Sequence, residues 1–198
     1  CGLTCVVTAD NVQELSGIVD MAYFLGNVRK IGFDLLRGQG RGSGLVPPTE
    51  TQMLKSMEEV YERVEQLSKL AGYKIVISQA ERAKLLCTES CRQFGHCYAM
   101  NGEAAFVDAS GKIYACSSLI GNEDFYIGNV QDGLDNTLVK KVSDKIFQSM
   151  SFCRECADFK LCGGGCFARW YGSGAKVAYK SECAMKRISI KMIGESEK

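Results

Sequence analysis

Residues 153–166 read CRECADFKLCGGGC, with Cys153, Cys156, Cys162 and Cys166 in one short segment and three glycines before the last of them. Thiols packed this densely hold a metal or an iron-sulfur cluster, or they form disulfides. The chain carries eleven cysteines, the others being Cys1, Cys5, Cys87, Cys91, Cys97, Cys116 and Cys183. Disulfide frameworks belong to small secreted chains with little core. An odd cysteine count, ordinary amphipathic helices and the lack of an export signal make that the weakest reading. Zinc would draw on the same thiolates, but zinc ribbons favour two short CxxC knuckles and only Cys153/Cys156 forms one. The spacing therefore favours iron-sulfur, with zinc second. The glycines fit an inorganic core, because a backbone without Cβ approaches it closely and its N–H groups reach anionic sulfur.

The remaining composition narrows the class. The chain has 198 residues, 46% hydrophobic and 24% charged, enough for a core and for one domain or two small ones. A formal net charge of +1 gives no nucleic-acid or membrane signature. No apolar run reaches the roughly 20 residues of a spanning helix. A soluble, cytoplasmic protein is expected. Because the sequence opens at Cys1 inside a strand-like stretch, it is expected to be part of a longer polypeptide.

Two textures follow one another along the chain. LTCVVT (3–8) reads as a strand, and residues 11–25 then place Val12, Leu15, Ile18, Val19, Ala22 and Leu25 at helical spacing after a capping Asp10 or Asn11. KIGFDLL (30–36) is a second strand, followed by the glycine-rich RGQGRGSGLVPP. A long helix over 50–71 puts Met53, Leu54, Met57, Val60, Tyr61, Val64, Leu67 and Leu70 on one face, with Gly72 to stop it. YKIVIS (73–78) is a third strand. This βαβαβ order implies a parallel sheet with right-handed crossovers, either half of a barrel or a small open sheet. After residue 86 come short strands, turns and cysteines. AAFVDASGKIYAC reads as a hairpin with Gly111 in its turn, bringing Cys116 toward Cys97, and an amphipathic helix over 136–150 precedes the dense cysteines.

Taken together, the late cysteines read Cys97, thirteen residues, Gly111, four residues, Cys116; then Cys153-x2-Cys156-x5-Cys162-x3-Cys166; then Cys183. This resembles the SPASM domain, the cluster-binding extension of radical S-adenosylmethionine enzymes that modify peptides and proteins, whose pattern is C-x9-15-G-x4-C, C-x2-C-x5-C-x3-C and a final C. YIGNV (126–130) also looks like the segment between its two cysteine groups. The resemblance implies two auxiliary 4Fe-4S clusters. One would take Cys91, Cys97, Cys116 and Cys166, with Cys87 the alternative to Cys91; the other would take Cys153, Cys156, Cys162 and Cys183. Cys166 would then leave its sequence neighbours to serve the other cluster, as in two-cluster ferredoxins.

The same resemblance makes residues 1–86 the second half of a partial (β/α)6 radical S-adenosylmethionine barrel, residues 87–187 the SPASM domain and 188–198 a tail. The fold class expected is α/β followed by an irregular cysteine-rich domain with a β-hairpin. The loop that ligates the third 4Fe-4S cluster and cleaves S-adenosylmethionine carries CxxxCxxC. Here Cys1 and Cys5 begin that pattern but Thr8 stands at the third position, so the chain alone should be inactive. Cys1 and Cys5 read as core or capping residues. Arg37, Gln39 and Arg41 follow a strand and are placed to hold the carboxylate of S-adenosylmethionine or of a peptide substrate; the plain alternative is a solvated loop. His96 reads as a surface or outer-sphere residue. Trp170 and Tyr171 either shield a cluster from water or pack an ordinary core.

By resemblance the reaction is maturation of a ribosomally made peptide, by thioether or other crosslinks. Sulfatase maturases, which convert Cys or Ser to formylglycine, carry Asp directly after the second hairpin cysteine, where this chain has Ser117. Asp108, Glu123 and Asp124 are candidate bases that the spacing does not select. A non-enzymatic two-cluster electron carrier is the rival class. The implied partners are a peptide or protein substrate, a flavodoxin or ferredoxin reductant and an N-terminal half-barrel.

Overall fold

Large apolar side chains alternate with small or polar ones through KIGFDL, and Ile31, Phe33 and Leu35 are buried as that alternation demands. This is strand β2 (Lys30–Leu35) of the computed structural model, which describes residues 1–88, 97–172 and 179–196. It pairs in parallel with β1 (Gly2–Val7) over its whole length and with β3 (Val76–Ile77) over two residues, giving the order β1-β2-β3. The parallel sheet expected from βαβαβ is present.

Two boundaries differ from expectation for local reasons. The first helix, α1, spans only Leu15–Leu25 behind a 3-10 turn at Val12–Glu14. Asn11 does not cap it. Its Oδ1 accepts from the Thr8 N–H (2.9 Å) and its Nδ2 donates to the Val6 carbonyl (2.9 Å), closing the exit of β1. The third strand ends early because α3 (Ser78–Thr88) begins at once. There the side-chain amide of Gln79 bonds both the N–H and the carbonyl of Phe33, completing with a side chain the ladder that a longer strand would have made.

Helix α2 (Glu50–Ala71) follows its sequence signals. Thr49 and Gln52 form a reciprocal capping box, and Gly72 ends the helix at φ 74. Met53, Met57, Val60, Tyr61 and Val64 are buried, whereas Leu70, expected on that face, is 83% exposed at the last turn. Against α2 and α3 packs α8 (Lys180–Ser196), which brings Ala184, Met185 and Ile188 into the same core. One compact unit thus comprises residues 1–91, 160–162 and 179–198. Residues 188–196, expected within a tail, continue α8, whose Ala184, Met185 and Ile188 are buried in this core.

The second unit comprises residues 92–159 and 163–178. Its antiparallel sheet runs β4 (Phe106–Val107), β5 (Lys112–Tyr114), β6 (Tyr126–Asn129) and β7 (Gly133–Leu134) in chain order. The expected hairpin is β4-β5, with Gly111 at φ 86. Asp135 caps α4 (Asn136–Ser149) by accepting from the N–H groups of Thr137 and Leu138, and Val142 and Ile146 of α4 are buried. Three short helices follow: α5 (Ser151–Arg154), α6 (Phe159–Cys162) and α7 (Phe167–Gly172).

Candidate metal centre

Three of the cysteines singled out by spacing meet in the second unit. Cys97 opens the turn before β4, Cys116 follows β5, and Cys166 directly precedes α7. All three pack against one apolar cluster that includes Ala115, Phe125, Phe167 and Ala168. Burial pushes the Cys97 thiol up to about 11. The backbone N–H groups of Met100 and Ala99 pull the other way, and the charges of Cys166 and Cys116 add to the rise. A thiolate here is therefore disfavoured on its own and needs a cation to hold it. Met100 N–H also closes the turn onto the Cys97 carbonyl (3.0 Å), which is what aims successive N–H groups toward the sulfur. These N–H groups were missed in the sequence; the only signal for them was the turn pair Asn101-Gly102.

Aromatic rings wall this region. Phe125 meets Phe167 at 5.6 Å and Tyr171 edge-on at 5.3 Å, while Phe167 lies 5.5 Å from Trp170, which also meets Phe152 at 6.1 Å. Trp170 and Tyr171 thus pack the same core as the cysteines. The donor set fits an iron-sulfur cluster: soft thiols, converging N–H groups and a dry aromatic wall. Among the described residues no three His, Cys, Asp or Glu side chains converge on a single metal ion.

The other cysteines are distributed differently. Cys153 and Cys156 lie in the second unit, Cys162 and Cys183 in the first. The Cys156 Sγ stands 3.9 Å from the Asp158 carboxylate. Cys91 and His96 lie outside the described residues, as does the side chain of Cys87. No disulfide forms among the described residues. Cys1 is exposed, and Cys5 is half-buried against the first unit's core.

The glycine-rich loop leaves the C-terminal ends of β1 and β2, where Leu36 N–H bonds the Val7 carbonyl (3.0 Å) and Ala9 N–H bonds Val46 (2.8 Å). Arg37 is engaged by Asp34 through two nitrogens (2.7 and 3.2 Å). Gln39 precedes a 3-10 turn at Gly40–Gly42, and Arg41 projects exposed from that turn. The loop is folded on itself rather than extended.

The candidate bases are occupied. Asp108 accepts from the Ser110 hydroxyl (2.7 Å) and N–H (2.8 Å) and from Lys112 N–H (3.0 Å), and the Ser110 hydroxyl leads in holding its carboxyl below the usual range. Glu123 pairs with Lys112 (2.6 Å), and Lys145 holds the Asp124 carboxyl low. All three serve turns and surface pairs.

No protein-family model matches the chain. An uncharacterized protein of Methanocaldococcus jannaschii is 30% identical over 131 residues, which is 66% of this chain and 38% of that protein. Among solved structures, native anSMEcpe with bound AdoMet superposes with a TM-score of 0.67 at 17% identity, covering 98% of this chain and 54% of that one. The same enzyme with AdoMet and a Cp18Cys peptide gives the same score, with 55% of it covered. The chain spans about half the length of these structures. Among the described residues no helix is long and apolar enough to cross a membrane. The fold, with one parallel and one small antiparallel sheet, is that of about half of the anSMEcpe chain.

Proposed function

We propose that this chain is the C-terminal, cluster-binding portion of a radical S-adenosylmethionine enzyme that matures a ribosomally made peptide by forming a thioether or other crosslink. The observation that carries the reading is the meeting of Cys97, Cys116 and Cys166 beneath N–H groups and aromatic rings, at the SPASM spacing, on a chain whose fold matches half of anSMEcpe, a structure with bound AdoMet. These three, with Cys91, would hold one 4Fe-4S cluster; Cys153, Cys156, Cys162 and Cys183 would hold another. When bound, such a cluster accepts electrons or presents an iron to a substrate thiolate. The chain's own residues supply the setting. Met100 and Ala99 N–H groups stabilise the Cys97 thiolate, and Phe125, Phe167, Trp170 and Tyr171 keep water away. The loop with Arg37, Gln39 and Arg41 faces the side where α/β units take ligands, and would meet the carboxylate of S-adenosylmethionine or of the peptide.

The complete protein would add the CxxxCxxC cluster on an N-terminal half-barrel and draw electrons from a flavodoxin or ferredoxin in the cytoplasm. Formylglycine formation is the second reading. It is favoured by the fold match to structures holding Cys-containing peptides, and opposed by Ser117 where those maturases carry Asp.

Two measurements test this. Anaerobically purified protein is expected to carry about eight iron and eight sulfide per chain, and Cys153→Ala to lose about half of each. Zinc without sulfide overturns the reading. The complete protein, incubated with S-adenosylmethionine, reductant and a Cys-containing peptide, is then analysed by mass spectrometry. Loss of two hydrogens with a new linkage supports crosslinking, whereas loss of the Cys sulfur with gain of an aldehyde supports formylglycine.

A further inference from the structure

Strand β1 leaves one side of its backbone open. It pairs with β2 over all 6 of its residues and, among the described residues, has no strand on its other side. Leu36 N–H bonds the Val7 carbonyl, so Val7 faces β2, and by the alternation of a strand Leu3 and Cys5 do too. The N–H and carbonyl groups of Gly2, Thr4 and Val6 therefore point to the open side. One side chain closes that side at its far end: Asn11 donates to the Val6 carbonyl (2.9 Å) and accepts from Thr8 N–H (2.9 Å), as a neighbouring strand would. The other edge of the sheet is covered, since α3 begins at Ser78 and the Gln79 amide bonds both backbone groups of Phe33. Bare edges are usually guarded by lysine, proline, a bulge or sheer shortness. β1 has none of these: CGLTCVVTA, residues 1–9, holds neither a charged side chain nor a proline, and Val6 is 53% exposed.

We propose that this open edge is the docking seat for one further strand, added in parallel by the rest of the complete protein, and that Asn11 sets where its pairing ends. The inference rests on the reading of this chain as one portion of a longer enzyme. The chain covers 54% of the anSMEcpe chain it superposes on, and a protein of that length has polypeptide enough for a strand and its crossover. Both existing pairings of the sheet are parallel, which favours a strand fed by a crossover over a second copy meeting β1 edge to edge. The backbone groups of Gly2 and Thr4 and the N–H of Val6 define the partner: an extended segment of about five residues, apolar at alternate positions so that it continues the core face of Leu3, Cys5 and Val7. Beyond Val6 the next rung is taken, because the Asn11 amide already holds the Val6 carbonyl and Thr8 N–H.

The test follows residue-resolved amide hydrogen exchange in the complete protein. Leu3 and Cys5, whose N–H groups already face β2, are the internal references. Thr4 and Val6 are expected to exchange within about tenfold of them. An alternating pattern, with Thr4 and Val6 faster than that, is the signature of an open edge and overturns the inference. Protection at Thr4 that vanishes on dilution, in step with loss of a dimer, also overturns it, because a second copy is then the occupant. In Asn11→Ala, Thr8 is expected to exchange about tenfold faster while Thr4 keeps its protection. An unchanged Thr8 overturns the role given to Asn11. The underlying reading fails separately: a complete protein no longer than this chain overturns both, whereas a longer one with the alternating pattern overturns the inference alone. None of the proposed cysteine ligands lies on β1 or β2, so the outcome does not depend on iron.

Discussion

Tyr61 shows how a single residue ties distant parts of the first unit together. Its hydroxyl donates to Ser189 Oγ (2.8 Å), which in turn donates to the Met185 carbonyl (2.8 Å), joining α2 to α8 inside the core. Burial pushes its pKa up to about 12, with the Ser189 bond pulling weakly the other way. The folded value lies above the ordinary 10, so the protonated ring contributes stability that is complete below pH 10 and lost as pH rises toward 12. Tyrosinate absorbance is expected to show one tyrosine ionising only with alkaline unfolding; titration of all eight below pH 11 contradicts this. Tyr61→Phe should cost about 1 kcal/mol in denaturant melts, since Ser189 keeps its own acceptor. At this scale the cysteines were legible because ligand spacing is a property of the chain alone. The N–H groups at Ala99 and Met100 were not, because a turn had to bring them there. Asp108, Glu123 and Asp124 could not be selected among from the sequence for the same reason: an acidic residue looks the same there whether it is a base or the anchor of a turn.

Among the elements, the β6-β7 turn depends on one glycine. Gly128 sits at φ 148, and a Cβ there would lie 2.1 Å from the Gly133 carbonyl oxygen and 3.0 Å from Leu134 Cα. Both obstacles are backbone in the paired strand, so neither can rotate away. Gly128→Ala is expected to destabilise the second unit by about 3 kcal/mol, read by thermal or denaturant unfolding. A loss under about 1 kcal/mol would mean that this strand pair is dispensable. YIGNV was noticed in the sequence as a resembling segment, yet its pairing with Gly133–Leu134 was not, since two residues carry no periodicity. Strands β1 and β2 and helices α2 and α4 were legible from apolar spacing and caps. α3 escaped notice because its start overlaps the third strand and the Gln79 amide substitutes for that strand's next rung. α8 escaped because its apolar positions, Ala184, Met185 and Ile188, are few and interleaved with charged and polar residues around Cys183.

For the whole molecule, the two units differ in what their cores are made of. The first packs Val, Ile, Leu, Met and Phe side chains from β1, β2, α1, α2 and α8 into one continuous cluster, with Cys5 at its margin. The second places Cys97, Cys116, Cys153 and Cys166 around its buried residues, and its sheet strands are two to four residues long. Short strands contribute few ladder bonds, so on the cluster reading proposed above this core would lean on what bridges its thiolates. On that reading, removing the iron with chelator and oxidant under denaturant-free conditions is expected to have unequal effects. Amide hydrogen exchange should quicken by at least tenfold through residues 97–159 and 163–172, while β1, β2, α1 and α2 keep their protection. Helix α8 should follow the first unit although it comes last in the chain, because Ala184, Met185 and Ile188 belong to that core. Uniform loss of protection across 1–88 as well would mean that the units do not fold by their own cores. Unchanged exchange in 97–172 would mean that the thiolates of the second unit hold nothing its stability needs.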